Sequence, residues 1–501
     1  MTNAPASTMP QRPNGEAPPA PRPSAAVAHS HSFATRAVHI GSEPEFSRSG
    51  GVSAGLDLST TYKQTKVGVH SGFEYSRSSN PTRLALERSL ASLEGGDVRL
   101  SANLAREGID EVSGAWEGGP AGVAFSSGSA ATATVIQAIV GHGGHMVSVG
   151  DVYGGTSRYQ TKVAGPLQDA GCTYVDMSYS TKADGGKVRT EQEQDQVILD
   201  RIEQAIRPET KLIWAESPTN PMLSLVPVQL IAQLAKKHGV YLVIDNTFAS
   251  PYLQQPLSLG ADVVVASSTK YLGGHSDVVG GLVVTPNPAL LTRIRFFQNA
   301  HGAVPSPFDS MLLLRSIKTL PLRVREHSRN GLAVARWLEE VGIPSGLVRD
   351  VRYPGLKRQH ESPAQRRERN LAWDQLSADA KKWLAREGHE RDAQGGFPDG
   401  GMVSFHINSP SPASQTDSRT AETFLESLEV FTLAESLGGV ESLAELPLKM
   451  THGGVDPARR TELGIDGELI RLSVGVEDVD DLLHDLQQAF KKALPSSSFS
   501  A

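Results

Sequence analysis

The chain is 501 residues long, with 39% apolar and 21% charged residues, a globular composition long enough for two or more domains. A net charge of -7 leaves no electrostatic footprint for nucleic acid or an anionic membrane surface. One cysteine, Cys172, excludes an internal disulfide and a cysteine-based metal site and favours a reducing, cytoplasmic setting; no apolar run approaches the roughly 18 residues of a membrane span.

Residues 1–36 are rich in Pro, Ala and Ser and lack the apolar core of a secretory signal. The seven prolines between Pro5 and Pro23 would break the amphipathic helix of a transit peptide, so a disordered tail is expected. Residues 37–100 mix turns and polar segments and end in a helical pattern, "PTRLALERSLASLEGG", opened by Pro81. From Gly122 to about residue 290, short apolar runs alternate with helical patterns. "GVAFSSGSAATATVIQAIV" reads as strand, turn and helix. "HMVSVGD", "TYVDM", "TKLIWAES", "VYLVIDN" and "ADVVVASS" read as strands, and "VQLIAQLAKKHG" as an amphipathic helix closed by Gly239. This alternation predicts an α/β unit over 101–312 with a mostly parallel sheet covered on both faces. Beyond it, a helix-rich stretch from Arg315 to Gly342 leads to "GMVSFHI" and "ELIRLSVGVED", read as strands of a smaller α/β unit over 313–501. Residues 97–119 and the highly charged 357–396 look like insertions, and both are expected to be solvated surface excursions. No internal repeat is evident.

In parallel sheets, ligands sit beyond the carboxyl ends of the strands. Three such ends carry Asn220, Asp245 and Lys270, at intervals of 25 residues each, about one strand–helix repeat. They can converge on one rim. An amine that attacks a carbonyl must be neutral, and burial among small residues such as those of "SSTKYLGGHSD" lowers its pKa. A Schiff base with pyridoxal phosphate (PLP) is the commonest use of such a lysine, with an Asp keeping the ring nitrogen protonated. "SSGSAAT", Ser126 to Thr132, opens a helix and offers backbone N–H groups to a phosphate. Ser267 and Thr269 add hydroxyls, and Tyr153 of "DVYGGTSRY" is a candidate to stack on the ring. Without a GxGxxG fingerprint after the first strand, a nicotinamide reading is disfavoured. His142, His145 and His275 lack acid or Cys partners that would complete a metal set, so no metal is expected.

The motifs "SGFEYSRSSNPTR", "FSSGSAAT", "DVYGGTSRY", "ESPTNP", "VIDNTFASPYLQQPLSLGADVVVASSTKYLGGHSDVVGG", "AESLGGVESLAELPLKMTH" and "IRLSVGVED" stand in order along the chain. Together they resemble the PLP-dependent cysteine/methionine metabolism, or trans-sulfuration, family over roughly residues 35–490. The resemblance implies the aminotransferase-like fold type I. It implies Lys270 as the residue that binds PLP covalently and shuttles protons, Asp245 on the pyridinium nitrogen and Tyr153 on the ring. Gly128, Ser129, Ser267 and Thr269 would hold the phosphate, joined by Tyr75 and Arg77 reaching over from a neighbouring subunit. Arg471 would clamp the substrate carboxylate with Asn220 and Ser436, and Glu435 could read the distal amine of cystathionine. The implied enzyme is a homotetramer, a dimer of dimers with shared active sites. The implied reaction is cleavage of the Cγ–S bond of L-cystathionine. Condensation of an activated homoserine ester with a thiol is the alternative within the family, and a non-catalytic binding protein a distant one.

Overall fold

A computed structural model describes residues 31–44, 47, 50–70, 72–96, 121–179, 190–409, 417–454 and 456–495. The stretch up to residue 30, expected to be a disordered tail, and the whole 97–119 segment lie outside the described residues.

Seven strands form the first sheet: β1 (Gly122–Phe125), β2 (His145–Val149), β3 (Gly171–Val175), β4 (Thr210–Glu216), β5 (Tyr241–Asp245), β6 (Val263–Ser267) and β7 (Gly281–Val284). Their order is β1-β7-β6-β5-β4-β2-β3. The strands from β6 to β3 run parallel, while β7 is antiparallel to both β1 and β6. The central strands are apolar throughout because helices cover both faces. In β6, Val263 to Ala266 are buried and the run ends on the half-buried Ser267. The helix Val228–His238 buries Val228, Ile231, Ala232, Leu234 and Ala235 along one stripe and ends at Gly239 in the left-handed conformation, as its pattern predicts.

The second sheet comprises β8 (Val348–Arg352), β9 (Met402–Ile407), β10 (Thr432–Leu433), β11 (Leu443–Glu445) and β12 (Leu469–Ser473), in the order β10-β11-β12-β9-β8. The two strands expected here are β9 and β12. A core of its own lies beneath them, where Phe405 and Phe490 each pack on Phe424, with ring centroids 5.9 and 4.5 Å away.

Two expectations need correction. The tail does not extend to residue 36. Phe33–His39 is a helix whose Phe33 is fully buried, edge-on to Tyr252 at 5.3 Å, with its N–H donated to Asp379 Oδ2 at 3.0 Å. Phe33, Ala37 and Ile40, at helical spacing, are all buried, and that apolar stripe ties the segment down.

Nor is 357–396 a solvated excursion. It forms the helices Pro363–Gln375 and Ala378–Arg386, and its Ala364, Leu371, Ala372, Leu376, Ala380, Trp383 and Leu384 join the core of the first domain. The charges that suggested solvation are largely paired. Arg367 forks onto Asp195 at 3.0 and 2.9 Å, and the buried Arg369 donates to Glu361 at 2.9 Å. A guanidinium fork matched to a carboxylate can be buried where a lone charge could not.

Candidate active site

The carboxyl ends of β2, β4, β5 and β6 face the second domain across a cavity of about 340 Å³. Eleven of the thirteen site residues expected from the sequence line it: Gly128, Ser129, Tyr153, Asn220, Asp245, Ser267, Thr269, Lys270, Glu435, Ser436 and Arg471. Tyr75 and Arg77 do not. Tyr75 is exposed, and Arg77 donates to Asn299 Oδ1 at 3.0 Å with its guanidinium 5.5 Å from the Tyr75 ring.

At one end of the cavity the helix Gly128–Ile139 begins, capped by Ser127 Oγ, which accepts from Ala130 N at 3.0 Å. A Cβ on Gly128 would lie 2.9 Å from that of Ser267, so only glycine lets the positive end of the helix press against the end of β6. Thr269 Oγ1 accepts from Gly280 N at 3.0 Å, which holds the turn leading to Lys270.

At the other end β4 and β5 place two acids side by side, Glu216 opposite Asp245. Asp245 Oδ1 accepts from Thr247 N at 3.0 Å and Thr247 Oγ1 at 2.5 Å. Burial still pushes its carboxyl up to about 6. Both carboxylate oxygens of Glu216 accept from the Tyr153 amide, at 3.0 and 3.1 Å. Burial, then the neighbouring Asp245, raises Glu216 well above the usual carboxylate range. Behind them Asp151, also pushed up to about 6 by burial, accepts from the Thr219 hydroxyl. Tyr153 is 40% exposed and borders the cavity, and a Cβ on Gly155 would come within 2.4 Å of its ring.

Lys270 joins the two ends. Its Nζ donates to Ser436 Oγ at 2.7 Å, and burial, then the nearby Arg471, lowers the amine to about 8. Arg471 comes from β12, fully buried, opposite Glu445 of β11. It donates to Asn220 Oδ1 at 2.8 Å and to the Ser436 carbonyl at 2.9 Å. It also lies 2.9 Å from Glu445 Oε2, an ion pair that lacks hydrogen-bond alignment, and its Nε has no hydrogen-bond partner among the described residues. Ser436, in the left-handed region at φ 100, thus meets the amine with its hydroxyl and the guanidinium with its carbonyl.

Glu216, Asp151, Glu445 and Thr451 escaped the sequence reading. Glu216 carried a usable signal, since it ends an apolar strand, as Asp245 does. Glu445 carried none, because only the β11–β12 register pairs it with Arg471. Thr451 holds Glu445 Oε1 at 2.8 Å from a turn with no strand pattern. His145 meets the hydroxyls of Thr210 and Thr173 at 2.7 and 2.9 Å, and His275 Nδ1 lies 2.7 Å from the Gly273 carbonyl.

A phosphate-sized nest at a helix start, a carboxyl at the far end, an aromatic ring and a depressed-pKa amine between them fit PLP as a donor set. Comparison with known proteins agrees. The Cys/Met metabolism PLP-dependent enzyme family matches residues 34–103, 98–384 and 384–491. A cystathionine gamma-lyase of Sus scrofa is 44% identical over 469 residues, 93% of this chain and 95% of that protein. The crystal structure of cystathionine gamma-lyase from Lactobacillus plantarum complexed with L-serine aligns with TM-score 0.73 at 38% identity, covering 92% of this chain and 99% of that one. Cystathionine gamma synthase from Xanthomonas oryzae pv. oryzae aligns with TM-score 0.72 at 32% identity, covering 93% and 99%. The chain therefore belongs to the Cys/Met metabolism PLP-dependent enzyme family and has the two-domain fold type I architecture its motifs imply.

Proposed function

We propose that this PLP-dependent enzyme cleaves the Cγ–S bond of L-cystathionine, giving L-cysteine, 2-oxobutanoate and ammonia. The observation that carries the reading is the double role of Ser436. It links an amine lowered to about 8 to a buried guanidinium, the two groups that an α-amino acid's Cα–H and carboxylate require side by side. The reading also rests on relatives named cystathionine gamma-lyase that match nearly the whole chain.

In this reading Lys270 would hold the cofactor covalently, Asp245 and Tyr153 would flank its ring, and Gly128, Ser129, Ser267 and Thr269 would hold its phosphate. When bound, PLP supplies an electron sink for negative charge at the substrate α-carbon. Arg471 and Asn220 grip the substrate carboxylate and orient Cα toward Lys270. Lys270, whose amine is lowered to about 8 and so exchanges a proton readily near neutral pH, would take the Cα proton and then move a proton at Cβ, assisted by the Tyr153 hydroxyl. The Cγ–S electron pair leaves with sulfur, which gains a proton to become the thiol of cysteine. Water completes the balance, and the four-carbon remainder departs as 2-oxobutanoate and ammonia. Glu435, which lines the cavity, would meet the distal ammonium of cystathionine.

Tyr75 and Arg77, exposed and outside this cavity, are assigned to a neighbouring subunit's phosphate site, which requires at least a dimer. A homotetramer working in the cytoplasm completes the proposal. Among the described residues, no helix is long and apolar enough to cross a membrane. The deciding assay supplies L-cystathionine alone and measures 2-oxobutanoate and cysteine. Turnover that instead requires an activated homoserine ester and a thiol would establish the condensation reaction.

A further inference from the structure

The 357–396 segment docks behind two of the loops that form the active-site rim. One is the loop between β4 and the helix Val228–His238, which carries Asn220. The other is the stretch after β5 that ends at Gln254. Glu368 Oε1 accepts from Leu225 N at 3.0 Å, near the end of the first loop. Gln375 Oε1 accepts from Val228 N at 2.9 Å, the first N–H of the helix that closes it. The residue before that helix is Pro227, which offers no side-chain cap, so the orphan N–H is met from outside. Gln375 Nε2 then donates to Gln254 Oε1 at 3.3 Å, and Gln254 Nε2 donates to the Ser217 carbonyl at 3.0 Å, at the loop's start. The end of this one loop is therefore fixed directly by the segment, and its start through Gln254. Within the loop Leu223 holds φ 56, a left-handed conformation that a side chain adopts only when its surroundings impose it. The loop delivers Asn220 Oδ1 to Arg471.

We propose that the 357–396 segment sets the geometry of the substrate-carboxylate clamp, with Glu368 and Gln375 as positioning residues acting through Asn220. The clamped group is the α-carboxylate of an amino acid, which rests on the function proposed above. Neither residue lines the cavity, so neither touches substrate. Their loss weakens a contact made equally in the ground and transition states, and this raises KM without lowering kcat.

The test uses the PLP-loaded full chain with Glu368→Ala, Glu368→Gln and Gln375→Ala. Glu368→Ala leaves the Leu225 N–H unmet and is expected to raise KM for L-cystathionine about five- to tenfold, with kcat within about twofold. The apparent Kd for L-serine, read from the cofactor absorbance, should rise by a similar factor. Hydrogen exchange at the Leu225 amide should quicken. Glu368→Gln keeps an acceptor and should restore all three. Gln375→Ala should act in the same direction, with faster exchange at Val228, and decides the matter if Glu368→Ala does not fold. Unchanged KM and L-serine affinity in the folded Ala variants would overturn the proposal, as would a fall in kcat and melting temperature with KM unmoved. If the native enzyme releases no 2-oxobutanoate from L-cystathionine, the proposed function fails, while the L-serine titration still reads the clamp.

Discussion

The cavity rim and the 357–396 segment are both polar by composition, and they use that polarity in opposite ways. At the rim, Asp245, Lys270 and Glu216 are held away from water with pKa values displaced toward their neutral forms. Their environment makes them poor ions and useful acids and bases. In the segment, Arg367 and Arg369 are equally withdrawn from water, yet each meets a carboxylate. For these five residues, the charges displaced toward neutrality serve the site and the fully paired ones serve architecture. Substitutions that move activity and stability separately put that contrast at risk.

The largest effect belongs to the rim. Lys270→Ala should reduce 2-oxobutanoate formation by at least about 10³-fold, the scale of losing a group that moves protons in the transition state. The far-UV circular dichroism should stay native, because the substitution keeps the backbone bonds of Lys270 to Ser267 and Gly274 and removes its side-chain bond to Ser436. Turnover near the native rate would remove Lys270 from the mechanism.

The segment should show the reverse. Trp383 is buried, packed 6.2 Å from the Tyr252 ring, with the guanidinium groups of Arg325 and Arg329 at 6.0 and 5.9 Å. Trp383→Ala opens a cavity and should cost about 3–4 kcal/mol in urea unfolding, with kcat changed less than about threefold. A variant of native stability would return the segment to the surface role its composition suggested.

How far the sequence reveals these two regions follows from what each depends on. The rim was legible because parallel strands end where side chains must leave the sheet, so Asn220, Asp245 and Lys270 announce themselves by position and by a regular interval. The segment misled because charge counting ignores partners. Arg367 pairs with Asp195, 172 positions away, and no local pattern encodes that. The apolar positions Leu371, Ala372, Leu376, Ala380, Trp383 and Leu384 were visible, at spacings that suit a helical hairpin with one buried side, but the arginines and lysines around them dominated the composition. The four-residue strand β7, Gly281–Val284, was not singled out at all, and nothing in its short apolar run tells which way its neighbours run. Glu445 shows the limit most plainly, since its partnership with Arg471 exists only once β11 and β12 are in register.

The smallest effect has the most telling sign, because it asks whether a rim acid works against the fold. The Asp245 carboxyl is raised from 3.8 to about 6 by burial. Between those values the folded protein keeps a proton that the unfolded chain has released, so this group's contribution to stability falls as pH rises through the window. Above about pH 6 both states become ionised and the penalty is complete, of order 3 kcal/mol. Asparagine cannot ionise, and replacing Asp245 also relieves the repulsion that raises Glu216. The apoprotein Asp245→Asn should therefore match native only below about pH 3.5 and become more stable than native by about 3 kcal/mol at pH 7.5, of which about 2 kcal/mol develops between pH 4.5 and 7.5, measured by urea unfolding at matched ionic strength. Saturating PLP should cancel or reverse that ranking, since the role assigned to Asp245 gives its charge a positive partner. A stability gap that stays flat from pH 4.5 to 7.5 would mean Asp245 is well solvated, and the contrast between an uncompensated rim and a compensated segment would fail at its central residue.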